Sequence, residues 1–191
     1  MKTLIKNGLL IDSANQVQAY LNLILEDGKV VAVTEEEPEA DRVIDATGKV
    51  VAPGFIDIHM HEDPVKDGKI EFCIFDAMLR MGVTTAVGGN CGINVYDPVK
   101  YLDMVEKDGA PVNVMLFAGH QYFREAAGAL DKYAPVTKEQ QEHMKKGLEK
   151  ALEAGCVGIS YGLRYVPGTG RDEFLDTASC CEKEHRMISA H

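Results

Sequence analysis

Hydrophobic and polar positions change their rhythm once along this chain, at Pro53-Gly54. Before that point apolar runs are short and alternate with polar residues, the period of a half-buried strand. Thr3 to Ile11 holds two runs broken at Asn7-Gly8, and Leu21 to Glu26 and Lys29 to Thr34 alternate on either side of Asp27-Gly28. Asp-Gly between alternating runs predicts a hairpin, because a type I′ turn needs positive φ at both central residues. Arg42 to Asp45 and Lys49 to Ala52 flank a turn at Thr47-Gly48, and Glu35 to Glu37 reads as a solvated loop. Residues 1–53 therefore read as a small β-domain, part of a β-sandwich.

After Pro53 the strand-like runs Phe55–Ile58, Thr84–Val87, Val112–Phe117, Val157–Ser160 and Met187–Ala190 alternate with helical patterns. They begin near Gly54, Val83, Pro111, Val157 and Arg186, at spacings of 29, 28, 46 and 29 residues. One βα unit takes about 30 residues, so residues 54–191 read as about five successive units with an insertion in the third. Short, largely apolar strands fit a parallel sheet buried on both faces. Phe72, Phe75 and Leu79 share one helical face, as do Met144, Leu148, Ala151 and Leu152. Thr137 with Gln140 forms a capping box at the start of the second of these helices, and Gly155 ends it. Phe174, Ala178, Cys181 and His185 make a stripe on the last helix. Without an early Gly-rich phosphate loop, the repeat points to an incomplete α/β barrel of the (β/α)8 TIM type rather than a dinucleotide-binding fold.

Composition narrows the function classes. Of 191 residues, 20 are Lys or Arg and 30 are Asp or Glu, a net charge of −10. That balance argues against nucleic acid or an anionic membrane as partner. No apolar stretch reaches the about 18 residues of a spanning helix, and Met1 to Asp12 lacks the core and cleavage site of a signal peptide. The five cysteines, Cys73, Cys91, Cys156, Cys180 and Cys181, show no CxxC or zinc-finger spacing. A reducing, cytoplasmic setting is expected, with all but Cys91 acting as small apolar fillers.

In a barrel of this kind, chemistry collects at the C-terminal ends of the strands. The first strand ends in His59-Met60-His61. Residues two apart on extended chain point the same way, so two imidazoles project together, a ready pair of metal ligands. The second ends in Gly88-Gly89-Asn90-Cys91-Gly92. Its glycines permit an unusual backbone path, and Cys91 is either a soft thiolate ligand for zinc or a small buried thiol. Gly119-His120, with Arg124 four residues on, follows the third strand; these two side chains either face a substrate or hold a loop. Beyond the fourth strand, Arg164 is suited to pair with a substrate carboxylate and a nearby tyrosine to donate to an oxyanion, unless the segment is simply a rigid loop. His191, at the end of the fifth strand, lands where a third imidazole ligand would be needed. His143 lies in a charged helical run and reads as solvated.

The stretch Val51-Ala52-Pro53-Gly54-Phe55-Ile56-Asp57-Ile58-His59-Met60-His61 resembles the metal-dependent amidohydrolase superfamily. Gly89-Asn90-Cys91-Gly92, Gly119-His120 with Arg124, and Gly158-Ile159-Ser160-Tyr161-Gly162-Leu163-Arg164-Tyr165-Val166-Pro167-Gly168 look like its N-acyl-D-amino-acid deacylase (D-aminoacylase) branch, in order along the whole chain. The resemblance implies a Zn2+-dependent hydrolase of the amide bond of small N-acylated amino acids. It implies His59, His61, Cys91 and His191 as metal ligands and Tyr165 as the tyrosine at the substrate. Strand four offers Ser160 where many amidohydrolases carry a carboxylated lysine, which favours the branch with a cysteine ligand. The family's proton-shuttling aspartate ends strand eight and another histidine ligand ends strand six. The chain is therefore expected to be the N-terminal part of a longer deacylase, inactive alone, that self-associates or is complemented by a chain carrying the C-terminal strands. The neighbouring alternatives are a dihydroorotase-like or isoaspartyl-dipeptidase-like amidohydrolase, and a non-catalytic metal-binding half barrel.

Overall fold

A computed structural model describes residues 1–182 and 185–191. The chain divides into two units, Met1–Gly54 and Phe55–His191. The first holds seven strands: β1 (Lys2–Lys6), β2 (Leu9–Asp12), β3 (Val17–Tyr20), β4 (Asn22–Glu26), β5 (Lys29–Thr34), β6 (Arg42–Asp45) and β7 (Val50–Val51). They form a four-stranded sheet in the order β5-β4-β1-β6 and a three-stranded sheet β3-β2-β7. Asp27 and Gly28 turn the β4–β5 hairpin with φ of 49° and 78°, the pair of positive values that such a turn demands. Leu4, Leu10, Ile24 and Ala46 are buried, whereas Val30, Val31 and Val33 of β5 are exposed.

The second unit comprises β8 (Phe55–Asp57), β9 (Val65–Lys66), β10 (Lys69–Ile70), α1 (Ile74–Arg80), β11 (Val83–Gly88), α2 (Pro98–Asp108), β12 (Asn113–Gly119), α3 (His120–Ala126), α4 (Lys138–Glu153), β13 (Gly158–Tyr161), α5 (Arg171–Ala178) and β14 (Met187–Ala190). β8, β11, β12, β13 and β14 pair in sequential order, every neighbour parallel. This is the ladder that successive βα units produce. Burial is complete along β13. It fails on the outermost strands, where Phe55, Ile56, Met187 and Ile188 are exposed. The expectation of strands buried on both faces thus holds for β13 and for the C-terminal halves of β11 and β12, and not for β8 and β14, each of which pairs with one neighbour among the described residues.

The helices show why apolar periodicity works where a cap fixes the start. α4 has the Thr137–Gln140 capping box, and Met144, Leu148, Ala151 and Leu152 are all buried. α1 differs from its expected face. Asp63, ten residues upstream, accepts the amides of Cys73, Ile74 and Phe75 at 3.1, 2.7 and 2.9 Å and the Cys73 thiol at 3.0 Å. The helix therefore begins at Ile74, leaving Phe72 outside it, and it buries Phe75 and Met78 rather than Leu79. Burial opposes the Asp63 charge, yet the thiol and amides hold its pKa below the ordinary value. Cys73 is exposed and engaged in this cap, so it is not a core filler. Cys156, Cys180 and Cys181 are buried, and burial pushes the Cys156 thiol up to about 12. The stripe expected on the last helix is also revised. α5 ends at Ala178, Cys181 lies in the following 3-10 turn, and His185 is exposed with φ of 50°. The side chains that α5 buries are Glu173 and Thr177. Among the described residues, no helix is long and apolar enough to cross a membrane.

Candidate metal centre

Parallel pairing puts the C-terminal ends of β8, β11 and β14 on the same edge of the sheet. Each is followed there by a residue able to bind metal. His59 lies two residues beyond β8, its amide donating to Asp57 Oδ1 at 3.0 Å. His191 extends β14, its amide donating to the Tyr161 carbonyl at 2.9 Å. Cys91 lies in the turn after β11, 5% exposed. Its Sγ is 3.3 Å from His59 Nε2 and 3.1 Å from His191 Nδ1. The three ligand atoms all lie within 4.8 Å of one another. Two imidazole nitrogens and one sulfur at this spacing are a donor set suited to zinc.

The turn that presents Cys91 is unusual. Cys91 has φ of 59° and ψ of 21°, between Gly89 and Gly92 at φ of 71° and 77°. For a residue with a Cβ the left-handed conformation costs about 1–2 kcal/mol, which the surroundings offset. Asn90, 1% exposed, donates to the Val87 carbonyl at 2.8 Å and the Ile58 carbonyl at 3.3 Å. Asn94 donates to the Phe117 carbonyl and to Glu62 Oε1 at 3.0 and 2.9 Å, and it accepts the Gly119 amide at 2.7 Å. Gly162 covers the turn from β13's side. A Cβ at Gly162 would overlap the Cys91 carbonyl oxygen and the Tyr165 ring, so no larger residue fits there.

The other candidates fall into two groups. Tyr165 stands at the centre, its ring edge-on to His191 with centroids 5.4 Å apart, and it is 40% exposed. Arg164 beside it is exposed. His61 is exposed two residues past His59 and does not join the three-residue group. His120 and Arg124 are placed differently from a substrate-facing pair. Both are 1% exposed, and both are bound to Glu173 of α5. His120 Nε2 is 2.9 Å from Glu173 Oε1, and Arg124 Nη1 donates to both carboxylate oxygens at 2.6 and 2.8 Å. Arg124 Nη2 donates to the Ala134 carbonyl and, at 3.3 Å, to that of Asp131. His120 Nε2 and both terminal nitrogens of Arg124 are thus engaged within the fold, while Arg124 Nε is buried with no hydrogen-bond partner among the described residues. The 131–134 loop that Arg124 holds accepts the Gly168 amide at its Lys132 carbonyl, 2.7 Å away, and so braces the segment bearing Tyr165. Burial opposes the Glu173 charge, but His120 and Arg124 keep its carboxyl below the usual range.

The sequence assigns no role to Glu173, Asn94 or Glu62, and Asn90 enters only as part of the Cys91 motif. Glu173 lies 49 residues from Arg124, and no local pattern announces such a pair. The two asparagines flank Cys91 and carry the signal of buried amides only once the turn is seen.

A profile of the amidohydrolase family matches residues 42–166, well over half of the chain. The chain belongs to the amidohydrolase family. It is 32% identical over 187 residues to the N-acyl-D-glutamate deacylase of Alcaligenes xylosoxydans xylosoxydans, covering 86% of this chain and 38% of that protein. It is 30% identical over 212 residues to the D-aminoacylase of the same organism, covering 98% and 42%. Among solved structures, N-acyl-D-glutamate deacylase from Bordetella bronchiseptica, complexed with zinc and a phosphonate inhibitor, superposes with a TM-score of 0.85. It is 30% identical, and the match covers 99% of this chain and 44% of that one. The incomplete (β/α)8-type barrel is thus the fold of a C–N hydrolase family, and the chain spans about two-fifths of the length of these relatives.

Proposed function

We propose that this chain carries the metal centre of a zinc-dependent deacylase acting on N-acyl-D-amino acids. The observation that carries the reading is the convergence of His59, Cys91 and His191 within 4.8 Å at the ends of three parallel strands. The named relatives supply the substrate class. Zinc bound there would polarise the scissile carbonyl and acidify water. His59, Cys91 and His191 hold the ion, and His61, exposed at the same loop, is a further donor. Tyr165 steadies His191 and offers a phenol to a developing oxyanion, and Arg164 pairs with the substrate carboxylate. The same proposal places the protein in the cytoplasm, on the unpaired spacing of its five cysteines. It also expects a partner chain or segment that continues the sheet past its exposed outer strands.

The test has two parts. Metal analysis of the purified chain should find zinc, and Cys91→Ala should lower zinc affinity by several orders of magnitude. Metal content independent of Cys91 would remove it from the centre. The protein at its native length should hydrolyse N-acetyl-D-amino acids in preference to cyclic amides. A preference for dihydroorotate or another cyclic amide would shift the reading to the neighbouring amidohydrolase class.

A further inference from the structure

Strand four of this sheet holds Ser160 at its centre, 0% exposed, 69 residues beyond Cys91 in sequence. Its hydroxyl does two things at once. It accepts the Gly92 amide at 2.9 Å and donates to the Gly89 carbonyl. A hydroxyl is one of the few side-chain groups that can donate and accept through a single atom. Gly89 and Gly92 bracket Cys91, so one oxygen grips both flanks of the left-handed turn. Asn90 ties the same turn back to the Ile58 and Val87 carbonyls. The tie to β13, on the far side of the turn, comes from Ser160.

We propose that Ser160 is a positioning residue that holds the Cys91 turn in its strained conformation, so that Sγ stands between His59 and His191 before any metal arrives. The part concerning metal rests on the proposed centre; the part concerning the turn does not. An alanine at 160 leaves the Gly89 carbonyl and Gly92 amide buried without their partner, and the turn can relax only by opening. Cys91 then loses its place while the rest of the sheet keeps its ladder.

The first experiment uses the metal-free chain, with a chelator present. Cysteine alkylation is followed residue by residue by peptide mass spectrometry in wild type and Ser160→Ala. Cys156, 0% exposed, is the internal reference for folding. Cys91 should react about tenfold faster or more in the variant, because two buried hydrogen bonds of its turn are gone, while the Cys156 rate stays unchanged. An unchanged Cys91 rate would overturn the proposal. So would an equal acceleration at Cys156, which would make Ser160 a general stability residue. The second experiment titrates Co(II) and follows the thiolate-to-cobalt charge-transfer band. Ser160→Ala should bind about 10–100-fold more weakly than wild type, and equal affinity would overturn the positioning role. A wild type that shows no such band would instead sink the metal-centre reading, and the alkylation result would still judge the turn.

Discussion

At the scale of single residues, Cys91 is where chemistry and backbone compete. A left-handed conformation is cheap for glycine and costly for every residue with a Cβ, yet this position carries the sulfur. The conflict yields a measurable order of stabilities. Cys91→Ala removes the thiol and keeps the strain, whereas Cys91→Gly removes both. Cys91→Gly should therefore be more stable than Cys91→Ala by about 1 kcal/mol, read from urea unfolding of the metal-free proteins. If alanine proves the more stable, the turn does not store the strain its φ of 59° implies. The motif residues His59, Cys91 and His191 could be read from sequence because each follows an apolar strand-like run at βα spacing. The residues that hold them could not. Ser160 looks like any small strand residue until β13 is laid beside the Cys91 turn.

At the scale of elements, the buried cluster of His120, Arg124 and Glu173 fastens α3, α5 and the 131–134 loop together. Its acid response has a definite sign. The folded-state pKa of Glu173 is depressed from its ordinary 4.5, so its contribution is complete above that value and is lost as pH falls through the lower folded value. Glu173→Gln should cost about 3 kcal/mol at pH 7, since it leaves the Arg124 charge buried without its counter-ion. The gap between variant and wild type should then narrow as pH falls below 4.5. Urea midpoints measured from neutral pH down to 3 would check this, and a gap constant across the range would show that the carboxylate charge contributes nothing. The same element scale explains what periodicity misjudged. α1 buries Met78 instead of Leu79 because Asp63 sets its first turn from outside the helix, which a pattern internal to the helix does not register. On α5 the apolar stripe is outweighed by a polar one, Glu173 bound to His120 and Arg124 of α3, and Thr177 bound to the Tyr161 hydroxyl of β13 as well as to carbonyls of its own helix. α4, capped by its own Thr137 and Gln140, read correctly from its sequence alone.

At the scale of the whole molecule, the two units and the sequential parallel sheet follow from the change of rhythm at Pro53-Gly54 and from spacings near 30 residues. Five parallel strands of an incomplete barrel are expected to leave two raw edges and uncovered apolar side chains, and the sheet β14-β13-β12-β11-β8 has them. β8 and β14 are as apolar as the central strands, but Phe55, Ile56, Ile58, Met187 and Ile188 are between 49% and 71% exposed. Apolar edge strands with unpaired backbone groups favour pairing with another chain. Sedimentation velocity of the purified chain should show association that grows with concentration, and Ile56→Lys should shift the distribution toward monomer. An unchanged distribution in the variant would place the contact elsewhere.

The three ligands carry one more implication. They stand 32 and 100 residues apart along the chain, on the first, second and fifth strands of the sheet. An ion held by all three would clasp the two ends of the ladder much as a long-range cross-link does, and the open chain would have no comparable cage to offer it. Metal uptake would then be the last event of assembly, so that an occupied centre certifies a finished sheet, and a chelator would remove the clasp while leaving the ladder in place.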